Sequence, residues 1–124
     1  MIYLGIDYGS ARIGLAKANS DIAIATPFNT LKNTAAALGE LVRIVHEENI
    51  DAIVVGKPLS LSGLPSAQTD EAARFTESVK NVVDPIPVYE HDERFSTKSA
   101  RAGRLGEDAS AAALILQTFI DAQR

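Results

Sequence analysis

Three acidic positions are spaced so that folding can gather them at one end of a sheet. Asp7 closes the apolar run Met1-Ile-Tyr-Leu-Gly-Ile-Asp7; a glycine turn through Tyr8-Gly9-Ser10 follows, and a second apolar run starts after it. A carboxylate carried into a buried strand is costly to keep ionised unless a cation or hydrogen-bond donors face it. The plainer role for Asp7 is to end the strand and bond its own turn, as Asp often does. The second acidic source is His91-Asp92-Glu93-Arg94-Phe95-Ser96-Thr97, which follows an extended segment. The third is Asp108, with Ala112, Ile115 and Phe119 behind it at spacings of four, three and four. That spacing puts Asp108 on one helical face, in the first turn, where it suits an N-cap and a ligand equally.

Taken together, Asp7, Glu93 and Asp108 can hold two hard cations about 4 Å apart, the arrangement for in-line attack of water on a phosphodiester. One ion would activate the water and the other would stabilise the leaving 3′ oxygen. Residue type alone leaves Asp92 and Glu93 both open as the middle ligand. Basic residues flank these acids. Arg94, Lys98, Arg101 and Arg104 fall within eleven residues, Arg12 and Lys17 lie near the Asp7 turn, and Lys57 follows a later apolar run. Arg94 can clasp phosphate oxygens bidentately. The same residues also fit a solvated face with ordinary surface ion pairs.

Composition narrows the chemistry. The chain has 124 residues, enough for one domain over 1–124 with its own core. Twelve Lys and Arg against sixteen Asp and Glu give a net charge of −4, which argues against a general nucleic-acid coat but leaves room for a local basic patch. With no cysteine and only two histidines, thiolate sites are excluded and a histidine-rich zinc site is disfavoured. Oxygen ligands and magnesium or manganese remain. No apolar run reaches membrane-spanning length and no signal-like segment opens the chain, so no membrane partner and an intracellular, cytoplasmic location are expected.

The elements that must position these residues follow from the apolar pattern. Residues 2–7, 12–18 and 22–30 read as strands with short turns between them, hence an antiparallel meander. Asn33 or Thr34 can cap a helix over 35–48, followed by a buried parallel strand over 51–56. A Ser-, Gly-, Pro- and Leu-rich loop to Pro65 precedes a helix over 66–83. Pro85 and Pro87 then impose an extended edge segment over 86–90. One or two helical turns begin at Ser96 and break at Gly103 and Gly106, and a last helix covers 108–122. This order predicts an α/β, ribonuclease H-like fold: a five-stranded mixed sheet, three strands antiparallel and then two parallel, flanked by helices. A flavodoxin-like sheet would need a helix where only the first turn is available.

Four blocks carry a family resemblance: Gly5-Ile-Asp7-Tyr-Gly9-Ser-Ala-Arg12-Ile-Gly14, Val55-Gly56-Lys57-Pro58-Leu59 with Gly63, Asp92-Glu93-Arg94-Phe95-Ser96-Thr97, and Asp108-Ala-Ser-Ala-Ala-Ala-Leu-Ile-Leu-Gln117. In this order, over nearly the whole chain, they resemble the signatures of the YqgF/RuvX family. The resemblance implies a bacterial cytoplasmic, metal-dependent nuclease linked to 5′-end maturation of 16S ribosomal RNA and similar to Holliday-junction resolvases. It also implies that Asp7, Glu93 and Asp108 carry the catalytic acids. Structured precursor rRNA is then the expected partner, with branched DNA as the alternative substrate. Two departures stand out: the segment Arg101 to Glu107 is short and holds only two basic residues, and Lys57 replaces the more usual leucine.

Two other classes compete. The first block also looks like the phosphate hairpin of actin-like ATPases and sugar kinases, but those enclose a nucleotide between two lobes and this chain has length for one. A non-catalytic nucleic-acid-binding module would gain nothing from carboxylates that repel phosphate unless a cation bridges them.

Overall fold

A computed structural model describes residues 1–57, 67–92 and 107–123. Five strands and three helices follow in the order β1 (Ile2–Tyr8), β2 (Arg12–Asn19), β3 (Ile24–Lys32), α1 (Ala37–Glu47), β4 (Ala52–Lys57), α2 (Ala67–Val83), β5 (Val88–Asp92) and α3 (Glu107–Ala122). The strands form one sheet in the order β3-β2-β1-β4-β5. β1 pairs antiparallel with β2 and parallel with β4, β2 pairs antiparallel with β3, and β4 pairs parallel with β5. This is the expected mixed sheet, with β5 at one edge.

Each face of the sheet has its own core. Leu4 and Ile6 of β1, Ile13 and Leu15 of β2, and Ile53 and Val55 of β4 meet α1 and α2 through Leu41, Ile44, Val45 and Val79. On the opposite face Ala16, Ala18 and Val54 meet α3 through Ala112, Ile115, Leu116 and Ile120. Small residues dominate that second face, so α3 lies close to the sheet. A Cβ on Gly5 would stand 2.9 Å from Leu116 Cβ and 3.1 Å from the Ala112 carbonyl oxygen.

Boundaries move where turns and prolines intervene. β3 starts at Ile24 rather than residue 22, because Ile22 and Ala23 both donate backbone N–H groups to the Asn19 carbonyl in a turn, with Ala23 at φ 61°. α1 starts at Ala37, and its N-cap Ala36 makes no side-chain cap bond. Neither Asn33 nor Thr34 is that cap. β5 starts at Val88 rather than 86, because the Ile86 N–H closes a turn back to the Val83 carbonyl. The helical turns expected after Ser96 lie outside the described residues.

Candidate functional site

Asp7 is buried, with 3% of its surface exposed, one residue before the end of β1. Alternation sets its direction. Leu4 and Ile6 point to α1 and α2, so Gly5 and Asp7 belong to the α3 face. The same face receives α3 in a definite direction. Phe119, near the helix C-terminus, packs on Tyr3, whereas Ala112 and Leu116 cover Gly5. The helix therefore runs antiparallel to β1, and its N-terminus lies toward Asp7.

The spacings match. From Gly5 to Asp7 is two strand residues, about 7 Å, and from Ala112 back to Asp108 is one helical turn, about 6 Å. Backbone position 108, in the first turn of α3, thus comes to the end of the sheet where Asp7 stands. The positive end of the helix dipole points the same way, an electrostatic setting that favours ionised carboxylates. The Asp108 side chain lies outside the described residues, as do Glu93, Arg94, Lys98, Arg101 and Arg104 entirely. Among the described residues no group of three Asp, Glu or His side chains gathers at one point.

β5 comes to the same end. Tyr89 and His91 share the α3 face, their rings 5.4 Å and 6.2 Å from the Phe119 ring, and His91 is in register with Gly56 of β4. The strand then ends at Asp92, directly before Glu93.

The basic residues divide. Arg12 opens β2 two residues before Gly14, the cross-strand partner of Asp7, so it is exposed on the Asp7 face at the Asp7 end. Lys57 is exposed at the same end but has the parity of Ile53 and Val55, which places it on the opposite face. Lys17 is not brought to the site. It pairs with Leu4 at the far end of the ladder, bonds Glu48 at 2.5 Å just past α1, and sits 5.3 Å from the Phe28 ring centroid. Closeness to the Asp7 turn in sequence misled here, because β2 runs away from that turn.

Sequence reading missed Asn33, whose work is done across the β1–β2 turn. Its side-chain amide donates to the Gly9 carbonyl at 2.8 Å and its backbone N–H to the Ala11 carbonyl at 3.0 Å. A single polar residue thereby ties the end of β3 to both arms of the loop that follows Asp7. Gly9 is needed in that loop, since a Cβ there would lie 2.5 Å from the Arg12 carbonyl oxygen. No local signal separates Asn33 from a helix cap.

Similarity to known proteins extends over nearly the whole chain. The family described as RuvX, Holliday junction resolvase, matches residues 1–122. A protein of Rickettsia rickettsii, provisionally named a pre-16S rRNA nuclease, is 31% identical over 95% of this chain and 84% of its own length. One of Rickettsia akari with the same name is 33% identical over 98% and 86%. Among solved structures, RuvC of Thermus thermophilus in complex with Holliday junction substrate has a TM-score of 0.69, with 16% identity over 99% of this chain and 95% of that one. The fowlpox virus resolvase bound to Holliday junction DNA has a TM-score of 0.63, with 11% identity over 99% of both chains. These likenesses establish a RuvC-like ribonuclease H fold.

Proposed function

The chain belongs to the RuvX family, and from that membership we propose that it is a divalent-cation-dependent nuclease that hydrolyses phosphodiester bonds in the 5′-end maturation of precursor 16S rRNA, in the cytoplasm. The observation that carries this reading is the meeting of buried Asp7 with the first turn of α3, which bears Asp108, at one end and on one face of the sheet.

The donor chemistry fits a hard cation: Asp7 is a buried carboxylate, no cysteine competes, and the other two residues assigned as ligands, Glu93 and Asp108, also offer oxygen. Magnesium or manganese bound there supplies Lewis acidity and offsets the charge that develops on the phosphate. The residues of the chain supply position. Asp7 gives a rigid attachment because its strand is held between β2 and β4. Arg12 and Arg94 hold phosphate oxygens around the acids, Lys98, Arg101 and Arg104 extend the contact along the nucleic acid, and Lys57 adds positive charge at the same end from the opposite face. Such contacts orient the scissile bond and exclude unproductive poses.

The test is incubation of the purified protein with precursor 16S rRNA and with a four-way DNA junction, in magnesium, manganese or EDTA. The expected result is cation-dependent cleavage of the RNA near the mature 5′ end. Cleavage of the junction alone would make the protein a resolvase. Binding of either without cleavage under any ion would make it a non-catalytic module.

A further inference from the structure

We propose that Lys32 is a phosphate contact, and that with Arg12 it forms a two-cation clamp on the Asp7 face that carries the nucleic acid outward over the end of β3. This rests on the nuclease reading above. Arg12 and Lys32 are directly opposed in the β2–β3 ladder, and both are exposed. Directly opposed residues share a face, and Arg12 shares its face with Gly14 and hence with Asp7. The clamp is thus displaced from Asp7 by about 7 Å along β2 and, for Lys32, one further strand spacing of about 5 Å.

No acidic side chain forms an ion pair with Lys32 among the described residues, and Lys32 is exposed. Its ammonium can therefore take an anion on the Asp7 face, and the anion that belongs at this rim is a phosphate of the substrate. The juxtaposition is also held firmly. Asn33, the next residue, bonds the Ala11 and Gly9 carbonyls, so β3 is tied down at the rung that presents Lys32. A strand end free to fray would not present its last side chain in a fixed position.

The experiment measures binding of labelled precursor RNA and of duplex nucleic acid across a salt series with calcium in place of magnesium, for wild type, Lys32→Ala, Lys32→Arg and Arg43→Ala. Arg43 is an exposed cation on α1, held by Glu40 and Glu47, and controls for net charge. Lys32→Ala is expected to flatten the slope of log affinity against log salt by about 0.9 on duplex and about 0.7 on single strands. Lys32→Arg should keep the wild-type slope, and Arg43→Ala should leave it unchanged. In cleavage assays Lys32→Ala should raise KM with kcat retained. A wild-type slope in Lys32→Ala, or equal flattening in Arg43→Ala, overturns the clamp while leaving the nuclease reading intact. A wild-type protein that binds neither nucleic acid overturns both.

Discussion

Gly5 and Leu116 stand so close that any side chain on Gly5 must displace α3: its Cβ would meet Leu116 Cβ at 2.9 Å. The contact fixes how near the helix carrying Asp108 comes to the strand carrying Asp7. Gly5→Ala is therefore expected to destabilise the protein by about 1–3 kcal/mol, the usual range for overpacking. It should also reduce kcat, because a shifted α3 moves one acid relative to the other. Urea denaturation and cleavage assays check the two effects separately.

Asp7→Asn keeps the shape of the side chain and removes its charge. Cleavage is expected to fall on the order of 100-fold or more, as when a group that stabilises transition-state charge is lost. The circular dichroism spectrum should remain that of wild type. Wild-type turnover in a preparation free of contaminating nuclease would remove Asp7 from the site.

Of the neighbouring acids, Glu93 should be the essential one. The family resemblance assigns the role to Glu93, which directly follows the last residue of β5. Glu93→Gln should abolish cleavage and Asp92→Asn should largely retain it; the reverse result would exchange their roles.

Asn33→Ala removes the side-chain bond to Gly9. The expected cost is about 0.5–1.5 kcal/mol in denaturation experiments. Cleavage should fall as well, because the loop after Asp7 loses one of its two ties to the end of β3. Unchanged stability and unchanged rate would show that the backbone bond to Ala11 suffices.

Lys17→Ala should leave the salt dependence of nucleic-acid binding at the wild-type value. Its ammonium is engaged with Glu48 on the face away from Asp7. The loss expected is in stability, below about 1 kcal/mol for a partly exposed ion pair. By contrast, replacing Lys98, Arg101 and Arg104 together by alanine should flatten the slope by about 0.7 to 0.9 per lost phosphate contact. An unchanged slope in that variant would make the segment a solvated face.

The sequence by itself determined the kinds and order of the described elements and the strand that buries Asp7, since apolar spacing and short turns act locally. Four blocks sufficed for the family. Registers and faces were decided only in three dimensions. Arg12 and Lys32 are twenty residues apart, and their opposition depends on how β2 and β3 align around the irregularity between Leu15 and Ala16. A shift of one residue sends every side chain of a strand to the other face, so sequence proximity could not separate Arg12, which reaches the Asp7 face, from Lys17, which does not. Asn33 shows the same limit: its bonding partners on either side of the β1–β2 turn become neighbours only when β3 returns along β2.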